Sequence, residues 1–272
     1  MNEAGSDATR STGLYRNEPE EGRETMTDLT KNSIRTQEER GAVHPILFQP
    51  PMVRALIAGT KTQTRRLLKP QPPADSGPLT WTAYHPTKVD RHGEEYPGPL
   101  TLGASSEDGS FATPIRITPG DRLWVREAWR ADEAVDVLRP RDMSPALPIC
   151  YEADRHERES NAVLFKAGKL RPSMFMPRWA SRLTLAVTDV RVQRLLEISR
   201  DDAIAEGLTQ LPASGRWVVE RGDQYFGLAD HDPRSVYSML WERINGEGSS
   251  FKNPWVVAYS FRVERRNIDA AP

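Results

Sequence analysis

From His44 the chain shows sustained hydrophobic patterning, beginning with His44-Pro45-Ile46-Leu47-Phe48. Pro50-Pro51 suits the first turn of a helix, and Met52, Val53, Leu56 and Ile57 form one apolar stripe behind it. Gly59 is placed to cap that helix, and Thr60–Arg66 is rich in β-branched residues and reads as extended. Strand signal returns at Ile115-Arg116-Ile117 and, after a Pro119-Gly120 turn, at Leu123-Trp124-Val125 running on to Trp129. Leu183–Val192 alternates as a strand, with Leu183, Leu185, Val187 and Asp189 on one face. Ser199 is a helix cap, with Asp202 positioned to return the bond as a capping box, and Gly207 ends that helix. Asp232-Pro233 starts another helix with the stripe Val236, Tyr237, Leu240, Trp241 and Ile244, stopped at Asn245-Gly246. Pro254–Val263 closes the domain as a strand. Five or six strands with three short helices and no βαβ alternation predict an α+β fold around a mainly antiparallel, barrel-like sheet.

Two stretches break this pattern. Nine of the 22 prolines fall between Pro70 and Pro119, so residues of about 70–115 read as a long irregular insertion. A second, polar insertion covers about 131–170. Residues 1–43 are polar and aperiodic and read as a disordered tail, and 267–272 as a short C-terminal tail, leaving 44–266 as the domain.

Composition narrows the function classes. Cys150 is the single cysteine and the five histidines are scattered, which points away from disulfides, thiolate metal sites and histidine metal sites. No metal or cofactor is expected. The polar N-terminus and the lack of a long apolar run predict a cytoplasmic protein without a membrane segment.

The net charge of −1 conceals two acid-free basic blocks. Pro45–Ala74 holds Arg54, Lys61, Arg65, Arg66 and Lys69; Asn161–Thr188 holds Lys166, Lys169, Arg171, Arg178 and Arg182, interleaved with Phe175 and Trp179. Cations beside aromatics suit a phosphate backbone with stacked bases, although a solvated face has the same pattern. Lys61 and Thr64 sit just past a helix end, where a turn or bulge brings them together and a regular strand keeps them on opposite faces. Glu206 is anomalous, an acid at the end of a short helix where the dipole disfavours it. Glu127 is either an inward acid or a surface partner of Arg126 or Arg130.

Several of these runs carry a resemblance. Ala58-Gly59-Thr60-Lys61-Thr62-Gln63-Thr64-Arg65-Arg66 resembles the signature segment of ASCH-domain proteins, and Pro119-Gly120-Asp121-Arg122-Leu123-Trp124-Val125 the turn and strand that follow it. Met176–Arg182, Asp201–Gly207 and Asn253–Val256 are similar to a phage and prophage branch of that family. The resemblance implies a PUA-like β-barrel with a cleft for RNA or modified nucleotides. The small bacterial N4-acetylcytidine amidohydrolases of this superfamily use a Lys, Thr and Glu set, which falls on Lys61, Thr64 and Glu206. It thus implies a metal-independent hydrolase of N-acylated cytosine nucleosides or nucleotides in a bacterial host cytoplasm, with Arg65, Arg66, Arg178 and Trp179 binding the ligand. A non-catalytic module for RNA or a modified base, and a ribonuclease, stay open beside it. This chain is more than twice the length of those hydrolases, and its insertions set it apart.

Overall fold

In the computed structural model, residues 41–73, 80–106, 109–157 and 166–270 are described. The predicted N-terminal tail lies outside them as far as residue 40; its last residues are not tail, since β1 (Val43–Leu47) begins there. Next come α1 (Pro50–Ala58), β2 (Gln63–Leu67), β3 (Thr80–Tyr84), β4 (Thr87–Val89), β5 (Glu95–Pro97), β6 (Thr101–Ser106) and β7 (Gly109–Pro114). The middle of the chain forms β8 (Arg122–Arg126), β9 (Trp129–Ala131), β10 (Ile149–Tyr151) and β11 (Thr184–Arg194). It ends with α2 (Arg200–Ala205), β12 (Thr209–Gln210), β13 (Trp217–Val218), α3 (Pro233–Asn245) and β14 (Trp255–Glu264). The fold is mixed α+β, and among the described residues no helix is long and apolar enough to cross a membrane.

The central sheet has the order β1-β8-β11-β14-β2, antiparallel except where β1 runs parallel to β8. It remains open: among the described residues no ladder joins β1 to β2, so the barrel expected from the sequence is not closed. Strand β8 shows why the sheet has one buried face. Leu123 and Val125 are fully buried while Arg122, Trp124 and Arg126 alternate outward. The inward residues meet Val53 and Leu56 of α1, Leu185 of β11, Phe261 of β14, and Val236, Leu240 and Trp241 of α3 in one core. Each such large side chain contributes roughly 1.5–3 kcal/mol on burial. Ile244, expected on the buried stripe of α3, is 45% exposed. In β11 the register shifts between Val187 and Asp189, so the predicted face ends at Val187 and Asp189 pairs with Arg191 on the surface.

The first insertion is not irregular. It folds into a three-stranded antiparallel sheet, β3-β6-β7, and a β4–β5 hairpin. Trp81 packs edge-on against Trp255 at 5.0 Å, and Ile115 joins a second core cluster with Leu68, Val257 and Tyr259. Strands of three to six residues punctuated by proline and glycine have too short a period to show through the composition. Conversely, Ile115-Arg116-Ile117 is a bend rather than a strand, with Ile115 buried as a plug. The second insertion carries β10 back onto β9 and encloses a small core of Trp129, Met143, Met176 and Ala180. The stretch from residue 267 is not a loose tail as far as it is described. Asn267 Nδ2 donates to the carbonyls of Arg178, Trp179 and Ser181, and Ile268 is buried.

Candidate functional site

Gly59 takes the left-handed conformation (φ 77°) that ends α1 and turns the chain toward β2. Lys61 therefore lies outside the regular strand, in an isolated bridge with Glu206. On the opposite side, Ser199 caps α2 by accepting from the Asp202 amide, and the helix runs one and a half turns to Glu206 at its C-cap. Gly207 then leaves with φ 98°; a Cβ there would lie 2.8 Å from Ala55 Cβ and 3.0 Å from Lys61 Cβ. That close approach seats the two segments against each other.

Lys61 and Glu206 meet as a buried ion pair. Lys61 Nζ donates to Glu206 Oε2 at 2.7 Å and to the Glu206 carbonyl at 2.8 Å, with both side chains almost wholly inaccessible. Burial lowers the Lys61 ammonium below its ordinary range, and the Glu206 carboxylate opposes that shift. These two residues, with Thr64, line a cleft of about 390 Å³ between β2 and α3, walled by Phe48, Tyr237 and Trp241. Thr64 is 2% exposed, and among the described residues its hydroxyl makes no hydrogen bond, to Lys61 or to any other group. Lys61 and Thr64 thus share one cleft because the regular strand starts only at Gln63. Tyr237 stands beside Glu206, and burial followed by that carboxylate pushes its phenol well above the ordinary range.

The tandem arginines diverge. Arg65 points inward with its side chain fully buried, and it lines the cleft from the protein side. Its Nη1 donates to Gln63 Oε1 at 2.5 Å and Glu206 Oε1 at 3.2 Å, and its Nη2 to Asp202 Oδ2 at 3.0 Å. Asp202 is committed to that contact, to Gln63 and to Arg191, rather than returning a capping-box bond to Ser199. Arg66 remains half-buried at the cleft wall, 5.1 Å over the Phe48 ring, and donates to the Leu47 carbonyl at 2.8 Å. Lys69 is exposed and also lines the cleft.

Arg178 and Trp179 are not among the residues lining this cleft. Arg178 makes a two-pronged exposed pair with Asp269 at 2.9 and 2.5 Å, and Trp179 packs edge-on against Trp129 at 6.4 Å. Sequence reasoning missed Asp202 and Tyr237 as members of the site. Tyr237 is legible from the sequence only as part of a buried stripe, where its phenol, like the Trp241 indole, calls for a polar neighbour. Glu127 proves to be inward, but its partner is Arg182 rather than Arg126 or Arg130. Arg182 holds both Glu127 oxygens at 2.9 Å and both Asp154 oxygens at 2.7 and 2.8 Å. Burial raises Glu127 above the usual carboxylate range against the pull of Arg182.

No protein-family model matches this chain, and neither the curated proteins nor the solved structures contain a match to it.

Proposed function

We propose that this cleft hydrolyses an amide on a modified nucleobase of the N4-acylcytosine kind, with Thr64 as nucleophile and Lys61 and Glu206 as the proton-handling pair. The observation that carries the reading is the buried Lys61–Glu206 pair in the same cleft as a threonine hydroxyl without a hydrogen-bond partner among the described residues. In this scheme Lys61 enters the reaction as the neutral amine, having released its ammonium proton to solvent, and takes the Thr64 proton as the Thr64 oxygen attacks the acyl carbon. The carbon–nitrogen bond then breaks, and the amine leaves with that proton. Water hydrolyses the threonyl ester, releasing the carboxylic acid and restoring the hydroxyl. A lysine can accept a proton only when its pKa is depressed, which is the direction burial drives Lys61. The scheme calls for no metal and no cofactor. Phe48, Tyr237 and Trp241 suit a planar base, and Arg66 and Lys69 suit a phosphate attached to it.

The same reading places the chain with the phage and prophage ASCH-type proteins, the five-stranded sheet serving as the wall of a PUA-like barrel, in a bacterial host cytoplasm. A second reading, an RNA- or modified-base-binding module without chemistry, is favoured by one separate observation. Arg66, Lys69 and Arg126 form no ion pair among the described residues, and Arg126 lies 5.2 Å over the Trp124 ring on the outward face of β8.

The deciding assay incubates purified protein with N4-acetylcytidine and a panel of N-acylated nucleosides and nucleotides, wild type beside Thr64→Ala. Release of the deacylated base by wild type alone is the expected result. Absence of release from every compound, with both proteins folded and both shifting RNA in a salt-dependent manner, rejects hydrolysis in favour of binding.

A further inference from the structure

Glu206 has two cationic partners, one on each carboxylate oxygen: Lys61 on Oε2 at 2.7 Å and Arg65 on Oε1 at 3.2 Å. The Arg65 guanidinium is gripped from three further directions. Gln63 Oε1 and Asp202 Oδ2 accept from it, and Tyr237 lies beneath it with its ring centroid at 5.9 Å. Gln63 is itself tied to Asp202 Oδ1 at 3.1 Å and Ser260 Oγ at 3.2 Å. Among the described residues, the titratable groups around the pair are Arg65 and Arg66 from β2, Asp202 from α2, Tyr237 from α3, and Arg191 of β11 acting on Asp202.

A buried ion pair of only one lysine and one glutamate has a chemical difficulty as a proton-handling unit. When the lysine gives up its proton, the carboxylate is left as an uncompensated buried anion, and that cost holds the proton in place. A guanidinium stays charged at every working pH, so a second, permanent cation on the carboxylate removes the obstacle. We infer that Arg65 is a positioning residue: by holding Glu206 Oε1 it keeps the carboxylate compensated and oriented, so that Lys61 can release and regain a proton. Asp202 and Gln63 hold Arg65 in turn. The inference rests on the hydrolase reading for its purpose, but the electrostatic coupling it asserts is a property of the folded protein alone.

That coupling is tested without substrate. Full-length protein carrying ¹³C-labelled lysine is titrated by NMR, following the Lys61 Cε resonance assigned with Lys61→Arg. Arg65→Gln is expected to raise the Lys61 midpoint by about one pH unit, a tenfold change in proton affinity. Arg65→Lys, which keeps the charge, is expected to stay near wild type. Asp202→Asn removes the acid that shares Arg65 with Glu206, so it shifts the midpoint the other way, downward. Opposite signs from two neighbours in one clamp are not produced by a loss of packing. A midpoint unmoved in folded Arg65→Gln overturns the inference. Should that variant not fold, a midpoint in Asp202→Asn that rises or stays constant overturns it instead. If the midpoints shift as stated while no N-acylated compound is turned over, the hydrolase reading fails and the Arg65 coupling stands; if turnover occurs and the midpoints do not move, the reverse holds.

Discussion

Glu206→Ala and Lys61→Met cut the same ion pair from its two ends, and the structure says the two cuts are unequal. Removing the Glu206 carboxylate leaves two buried cations facing each other, since Lys61 Nζ loses its 2.7 Å partner and Arg65 Nη1 its 3.2 Å partner. Lys61 keeps the Glu206 carbonyl at 2.8 Å and Arg65 keeps Gln63 and Asp202, but neither charge retains Glu206 as its counterion. Stranding buried charge in this way costs about 3–5 kcal/mol. Lys61→Met fills similar volume and leaves Glu206 paired with Arg65, so the loss is that of unsatisfied acceptors, about 1–3 kcal/mol. Against a stability on the order of 5–15 kcal/mol, the first variant is close to unfolding and the second is not. Urea denaturation of both, with m-values checked for constancy, measures the difference. The pair also has a pH signature. Burial holds the folded-state Lys61 pKa below its ordinary 10.5, so between that depressed value and 10.5 the unfolded chain carries a proton the folded chain lacks. Stability relative to Lys61→Met therefore rises with pH across that window. Equal losses in the two variants, or a wild-type advantage that falls as pH rises toward 10, would refute the reasoning.

Two further outcomes test the scaffold. Gly207→Ala combines a positive φ with a Cβ placed 2.8 Å from Ala55 and 3.0 Å from Lys61, so it costs about 1–3 kcal/mol and lowers ligand affinity of the cleft. Gly59→Ala, with open space around the new methyl, loses about 1–2 kcal/mol from its backbone conformation and leaves affinity intact, as thermal melts and ligand titrations would register. At the C-terminal end, Asn267→Ala removes three bonds to backbone carbonyls and costs about 1–3 kcal/mol in chemical denaturation, whereas Arg178→Ala, losing only an exposed pair, stays within about 0.5 kcal/mol of wild type.

Lys61 and Glu206 were more legible in the sequence than their surroundings, for identifiable reasons. Glu206 stood out because an acid at a helix end conflicts with the dipole, and such a conflict needs a compensating partner; Lys61 is that partner. The stripes of α1 and α3 were legible because burial imposes a 3.6-residue period. Arg65 was not, because an arginine in a basic run looks solvated until three-dimensional folding brings Gln63, Asp202 and Glu206 around it. Asp202 reads from the sequence as half of a capping box because local spacing does not reveal that Arg65 and Arg191 outcompete a backbone amide for its carboxylate. The strands of the first insertion escaped notice because each is shorter than the window that periodicity requires.

The 145 residues separating Lys61 from Glu206 bear on the order in which the chain assembles. Closing so long a loop costs entropy before any contact rewards it, so the bridge between these segments forms late, after the local hairpins and helices. The third wall comes from α3, still further along the chain. A nascent chain emerging from the ribosome therefore lacks the complete cleft through most of its synthesis, and no N-terminal fragment ending before α2 can form the Lys61–Glu206 bridge. Burial of Lys61 and Glu206, followed in time during refolding, reports the final docking step rather than the collapse that precedes it.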